Sequence, residues 1–392
     1  MKAEYDIIVI GAGLSSLMFL SKMVSHKSKL SILVLEQKNS INRNQSFCVW
    51  EGPGLINIEK EFKLKAKHRW DKILIENNKE KIKKNIHPYH YVCHDGHSTL
   101  KKLSRQLNAK VKILYASKVT KINQIDKNIQ VTSSEGNFCS KYLIDSRPKI
   151  EKNEIKSDYM QQAFIGNEIE VKSNYFNKDE ATIMSFSKNK TETEFIYQLP
   201  FTKKRALVET TLFSSNPNLT KLQQKHTRNL KKYGNYKILK SERGIIPMAV
   251  VEAKANKRIM KIGTSAGMVR ASSGYSMRKI ANWISNHKGK TIKKNNLLSF
   301  KYAPNPLLDF FDKIFLRVIK DYPNRSPDLF FNLFNQSNHK SLIKFCFELD
   351  KSKNLAEFDE TFKDDKSGHV RQNKHKLYIE TQKHILSMAK NI

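Results

Sequence analysis

Residues 6–10, DIIVI, form a short run, apolar throughout after Asp6, that leads into Gly11. A run of this kind suits a strand buried on both faces of a parallel sheet. It leads through Gly11, Gly13 and Ser16 into an apolar-periodic segment, then into a second apolar run, LSILVLE, that closes on Glu36. Strand, glycine-rich turn, helix and strand within roughly 30 residues make a β-α-β unit. In such a turn Gly11 permits the tight bend and Gly13 lets the backbone approach a pyrophosphate. The third position needs a small residue for close helix packing, and Ser16 stands there in place of the usual glycine or alanine. The helix N-terminus offers unpaired N–H groups to phosphates, and Glu36 lies where an acid can accept from a ribose hydroxyl. The unit predicts dinucleotide binding. Its position at the extreme N-terminus, without a second copy, suggests FAD, although these residues alone leave FAD and NAD both open.

The chain has 392 residues, 39% of them hydrophobic and 28% charged, enough for two or three packed regions around a real core. Its net charge of +34 is the one extreme feature. Such a surplus attracts an anionic membrane face or nucleic acid, or it reflects a compositional drift toward Lys, Asn and Ile. The basic residues run through the whole chain, and no aromatic-interleaved basic module is visible, so no nucleic-acid partner is expected. Cys48, Cys93, Cys139 and Cys346 lie far apart without paired spacing, which argues against a disulfide scaffold or a metal centre and suits a reducing cytosol. No apolar run approaches the ~20 residues that span a bilayer. The expected location is cytoplasmic, with peripheral contact at the inner face of the cell membrane.

Three regions follow from the pattern. A discontinuous nucleotide-binding region is expected at 1–55, 90–155 and 255–290, and a β-rich region at 56–89 and 156–254. A phenylalanine-rich helical region is expected at 291–350 and a polar tail at 351–392. GHSTLKKLSRQLNA predicts a helix with Ser98 or Thr99 near its start, followed by strands that return to the nucleotide-binding sheet. TEFIYQLPFTKKRALVETTLF predicts a hairpin turning at 200–205. On its second strand Leu207, Glu209, Thr211 and Phe213 share a face, so one carboxyl stands among apolar neighbours. RIMKIGTSAGMVRASSGYSM repeats the strand-loop-helix logic, with Gly263, Gly267 and Gly274 permitting a second backbone approach to the cofactor. Leu308, Phe311, Ile314, Phe315 and Val318 fall near one helical face, as core or as the wall of a ligand channel.

These separated motifs together resemble one family, the bacterial lycopene β-cyclases, from the flavoprotein group that includes aromatic hydroxylases and geranylgeranyl reductases. IIVIGAGLSSLMFL is similar to the family's FAD motif, NQSFCVWE to its next block, LIDSRP to an Asp-(Ala/Ser)-Arg block and QQAFIGNEI to a Phe-x-Gly-x-Glu block. FIYQLPF with ALVETTLFS resembles the hairpin that carries the family's essential acid, here Glu209; ERGIIPM and IGTSAGMVRASSGYSM complete the set. The likeness runs from about Tyr5 to Leu349. It departs at Gln45 and Phe47, where histidine and tryptophan are common, at Thr210, where a second acid usually follows, and at Ser185, where aspartate is common. A helper acid is therefore expected elsewhere, at Glu168.

The resemblance implies an α/β fold: a Rossmann-like FAD-binding domain of the aromatic hydroxylase/geranylgeranyl reductase type, a β-rich substrate domain and C-terminal helices. It implies cofactor contacts at Gly11, Gly13, Ser16, Glu36, Arg43, Asp145, Gly263, Gly267 and Gly274, and substrate contacts at Phe164, Tyr197, Leu207 and Phe213. The implied reaction converts lycopene through γ-carotene to β-carotene by acid-base cyclisation. Reduced FAD takes part without net redox change, and NAD(P)H serves only to keep it reduced. Glu209 would protonate carbon, because apolar surroundings keep a carboxyl protonated. A flavin monooxygenase or prenyl reductase on the same fold is the alternative, and an RNA-binding flavoprotein the remote one.

Overall fold

The computed structural model describes residues 4–336 apart from 42, 78, 188–190, 255 and 294–295. The expected helix around LIKFCFEL, Cys346 and the polar tail 351–392 lie outside the described residues.

The N-terminal unit forms as its sequence predicts: β1 (Tyr5–Ile10), α1 (Leu14–Met23) and β2 (Ile32–Leu35). There follow β3 (Ser46–Glu51), α2 (Ile58–Phe62), β4 (His68–Trp70), β5 (Lys72–Glu76), β6 (Lys81–Asn85) and β7 (His90–Asp95). α3 (Gly96–Ser104) is capped by Asp95, whose carboxylate accepts from Ser98 N–H at 2.9 Å, so the cap lies before the expected Ser98 or Thr99. Four strands return, β8 (Val111–Leu114), β9 (Val119–Ile125), β10 (Asn128–Ser133) and β11 (Gly136–Asp145). β12 (Met160–Val171), β13 (Glu180–Phe186), β14 (Thr193–Pro200) and β15 (Arg205–Ser214) precede α4 (Leu219–Leu230) and β16 (Tyr236–Met248). The chain closes with β17 (Ile259–Lys261), α5 (Met277–Ser285), α6 (Pro306–Asp321) and α7 (Ser326–Gln336).

One seven-stranded sheet has the order β8-β2-β1-β11-β10-β9, with β17 also paired to β11. β8, β2, β1, β11 and β17 run parallel, so their C-terminal ends share one edge, where ligands bind in open α/β sheets. The second seven-stranded sheet has the order β16-β12-β15-β14-β13-β5-β6. The segment expected as β-rich at 56–89 divides: β5 and β6 join this second sheet, whereas β4 pairs with β7 in a small sheet, β3-β7-β4, between the two. Cys48 and Cys93 face each other across β3 and β7 as free thiols.

α1, α3 and α5 cover one face of the first sheet through Leu17, Phe19, Leu100, Ile280 and Trp283. A second large core joins one face of the second sheet to the small sheet and to α6 and α7, with Trp50, Trp70, Tyr91, Phe195, Phe213 and Phe330. The α6 stripe is core at Phe311, Ile314 and Val318, while Phe315 also reaches a cavity wall. Its buried Asp312 accepts from Arg270 Nε at 2.8 Å and from Ala271 N–H at 3.1 Å, tying α6 to the loop before α5.

α4 covers the opposite face of the second sheet. Here His226, fully buried, contacts Thr210 Oγ1 at 3.0 Å and Asn167 Oδ1 at 2.9 Å, while Asn167 donates to Ser241 Oγ at 2.7 Å. One imidazole thus fixes β12, β15 and β16 relative to one another. Burial drops its pKa to about 4. Because the folded-state pKa lies below the unfolded value of about 6.5, the neutral ring stabilises fully above that pH, and the contribution is lost as pH falls toward 4. The loss should reach about 3 kcal/mol. Denaturant melts from pH 7 to 4.5 should show wild type losing stability faster than His226→Gln; equal slopes would contradict the assignment.

Candidate active site

β15 alternates as its sequence requires. Leu207, Glu209, Thr211 and Phe213 face the large core, and Thr210 faces α4. Glu209 is 7% exposed, and its Oε1 accepts a 2.6 Å hydrogen bond from Thr211 Oγ1. Across the sheet Gly166 of β12 pairs with Glu209 on one side and with Glu242 of β16 on the other. Strands two apart are separated by about 9–10 Å, which a side chain between them would fill. Gly166 has none: a Cβ there would lie 3.2 Å from Glu242 Cγ and 3.4 Å from Glu209 Cβ. The two carboxyls face each other over this gap, close enough for each to act on the other's charge.

Burial, and then the neighbouring Glu242 carboxyl, push Glu209 well above the usual carboxylate range. Burial also raises Glu242, against the hydrogen bonds it accepts from Ser46 N–H at 2.9 Å and Ser46 Oγ at 3.1 Å. Two buried carboxyls in contact cannot both ionise, so the pair retains a proton near neutral pH. Glu242, better supplied with donors, is the anionic partner, and Glu209 carries the proton.

The pair faces a cavity of about 390 Å³. Among its walls are the aromatic Phe164, Phe195, Tyr197, Phe213 and Phe315 with Trp50. Gly244 makes room for Phe164, because a Cβ there would lie 2.7 Å from the ring. Tyr197, opposite Glu209 in the β14–β15 ladder, meets Tyr91 hydroxyl-to-hydroxyl at 2.5 Å, and Tyr91 meets Tyr275 at 2.7 Å. An acid kept protonated, in a dry pocket lined by π faces, suits proton delivery to carbon and shelter for a cation.

The residues expected to contact a nucleotide gather at the C-terminal ends of β1, β2 and β11. Gly11 has φ +94°, and a Cβ on it would meet Ser146 Oγ at 2.6 Å. Ser16 Oγ donates to Gly11 O at 2.6 Å and Gly13 O at 3.1 Å, so the hydroxyl in the third position ties the turn down. Gly13 has open space where its Cβ would be, and α1 begins without a side-chain cap or a first-turn acid. That leaves N–H groups and the positive end of the helix for an anion. Glu36, buried, accepts from Ala12 N–H at 2.8 Å, with Arg43 3.4 Å away. Asp145 ends β11 and is bound by Arg147. Gly263 of the second loop abuts α1, its Cβ position 2.7 Å from Ser15 Oγ. Among the described residues, the buried Gln162 Oε1 and Ser273 Oγ lack a partner, and both residues line the cavity where the second loop enters it. These features fit FAD, which the α1 turn, Glu36 and the 263–276 loop would hold.

Most predicted residues therefore converge on two adjoining sites, with three exceptions. Gly267 caps a turn against Val251 O, away from α1, and Leu207 packs beneath the carboxyl pair outside the cavity lining. Glu168 also stands apart from the cavity, held by Lys67 at 2.7 Å and by Arg205 at 2.5 Å. The second carboxyl beside Glu209 is Glu242, which sequence reasoning passed over within ERGIIPM. Its signal is an isolated acid flanked by Lys237, Lys240 and Arg243 on an edge strand.

Residues 6–291 match the family described as lycopene cyclase protein. The chain is 24% identical over 313 residues to a chloroplastic neoxanthin synthase of Solanum tuberosum, covering 71% of this chain and 58% of that protein. It is also 24% identical over 307 residues to the chromoplastic capsanthin/capsorubin synthase of Capsicum annuum, with the same coverage. The chain thus spans 58% of the length of these plant relatives. Among solved structures, a geranylgeranyl bacteriochlorophyll reductase-like protein from Thermoplasma acidophilum superposes with a TM-score of 0.55 at 11% identity, over 97% of this chain and 99% of that one. The halogenase PltM in complex with phloroglucinol and FAD gives 0.57 at 10% identity, over 99% and 92%. These likenesses show the Rossmann-like flavoprotein fold.

Two substitutions test the geometry. Gly13→Val should abolish retention of added FAD, measured by absorbance after gel filtration. Apoprotein stability should fall by only about 1 kcal/mol, since Gly13 has open space around it but caps α1, where valine caps poorly. Gly166→Ala should cost about 1–3 kcal/mol, since it forces closely packed neighbours to shift. It should also weaken the infrared band of the protonated carboxyl at neutral pH, and an unchanged band would show that the pair does not depend on the gap.

Proposed function

This protein belongs to the lycopene cyclase family, and from that premise we propose that it is a lycopene β-cyclase, closing a six-membered ring at an end of linear lycopene by acid-base chemistry. The observation that carries the proposal is the buried Glu209–Glu242 pair facing an aromatic cavity. Protonating a terminal alkene requires an acid that is dry and still protonated at neutral pH, and Glu209 meets both conditions. The tertiary cation that forms is attacked by the neighbouring double bond, and a ring proton is then lost. Phe164, Tyr197 and Phe213 present π faces to the cation, worth roughly 2 kcal/mol each when desolvated. The carboxyl pair, one proton poorer after the first step, is the base closest to hand for the last, so each turnover restores it. Glu242, rather than Glu168, is the helper acid in this scheme.

FAD, held by the α1 turn and the 263–276 loop, would supply in its reduced form a fixed negative charge near the developing cation. The reaction has no net redox change, so NAD(P)H or another donor would serve only to maintain that form. No helix among the described residues is long and apolar enough to cross a membrane. Ile245 lines the cavity and is 43% exposed, on the same edge strand as the exposed Ile238, Leu239 and Lys237. An apolar, basic edge strand that reaches the cavity at Ile245 suits peripheral contact with an anionic membrane, where a carotenoid resides.

Lycopene-producing bacterial cells expressing wild type should accumulate β-carotene. Glu209→Gln should lower conversion at least tenfold, about 1.4 kcal/mol of barrier or more, while still binding FAD. Flavin-loaded wild type that leaves lycopene untouched and consumes NAD(P)H stoichiometrically would instead identify an oxidative or reductive enzyme. The rate should fall as pH rises through the elevated Glu209 pKa. In Glu242→Gln that alkaline limb should move to lower pH, because the neighbour that raises Glu209 has been neutralised.

A further inference from the structure

Two cavities of opposite character meet at the carboxyl pair. The apolar one, about 390 Å³, contains Glu209. The other, about 250 Å³, is polar and is lined by Lys38, Asn44, Gln45, Ser241, Glu242 and Arg243. Their linings share Gln45 and Glu242 and no other described residue. Gln45 Nε2 donates to Arg243 O at 3.3 Å, and Gln45 and Glu242, which line both cavities, lie where the two adjoin. The exposed Arg243 side chain stands at the outer rim of the polar cavity. A polar space of this size, with several hydrogen-bonding partners, holds water, whereas the aromatic one does not need to.

We propose that the polar cavity is the proton-exchange port of the active site: the anionic Glu242 takes up a proton from solvent on one side, passes it to Glu209 on the other, and releases one by the same route. This rests on the acid-base reading above and extends it. A hydrocarbon substrate plugs the apolar cavity, so a pair open only on that side would be cut off from water throughout turnover. The proton balance makes the route measurable. Each cyclisation places one proton from the pair on the terminal alkene carbon and returns one from the ring carbon to the pair. With the port open, the returned proton exchanges with solvent before the next cycle. With the port shut, the proton taken from one ring is delivered to the next.

The experiment is cyclisation in D₂O with mass analysis of the product, using wild type, Arg243→Ala and Arg243→Trp. Wild type and Arg243→Ala should place a solvent deuterium in every ring formed. Arg243→Trp, with the port filled by indole, should lose the label from all turnovers after the first while still forming rings. Full labelling by Arg243→Trp would overturn the proposal. A second measurement is independent of turnover: the carboxyl band of the resting protein, its apolar cavity filled with n-hexadecane, followed by infrared after transfer to D₂O. The band should shift promptly in wild type and with delay in Arg243→Trp, and equal rates would overturn the port. Failure of wild type to cyclise lycopene would sink the proposed reaction, while the infrared comparison would still decide the port.

Discussion

The site depends on a side chain that is absent. Glu209 and Glu242 belong to strands that never pair with each other, and β12 runs between them. Only at Gly166 does the intervening strand leave room for both carboxyls to lean inward and meet. Burial raises Glu209 and that contact raises it further, while the donors of Ser46 favour the anion at Glu242, so that the pair retains one proton in an apolar enclosure. A methyl group at position 166 would oppose that contact without altering any charged residue.

The contact requires three strands to keep register, and the reverse face of the sheet supplies that constraint. Asn167 and Ser241, each next in sequence to a residue of the pair's row, are joined through His226 to Thr210. Burying a polar network is costly unless every member is satisfied, and here the imidazole links three strands at once. Asp95 adds a second brace. Burial pushes its carboxyl up, but the hydrogen bonds from Lys240 and from Ser98 N–H outweigh it and leave the pKa at about 2. Lys240 of β16 is thereby fastened to the start of α3, and the edge strand that carries Glu242 to the nucleotide-binding half.

Much of this was legible beforehand because it is local. The turn at Gly11, Gly13 and Ser16, the acid at Glu36, the hairpin turning at 200–205 and the second glycine loop are each written within a few dozen residues. Hydrophobic period and turn chemistry therefore sufficed to find them. The hydroxyl of Ser16, which looked like a tolerated departure, proves to close the turn. The choice of Glu168 as helper failed for the opposite reason. Lys67 lies 101 residues before it and Arg205 37 after it, so no local pattern shows that the carboxylate is already paired.

The sequence by itself determined the kind of cofactor cradle, the existence of a β-rich second half and the presence of one acid on an apolar face. These are properties of periodicity, which a chain carries in its own order. The partner of that acid was decided by the tertiary structure alone. Glu242 lies far from Glu209 along the chain, and what joins them is the stacking order β16-β12-β15 with a glycine at one register position. Strand order and register arise from packing between distant segments, and so does the low dielectric that keeps an ordinary glutamate protonated.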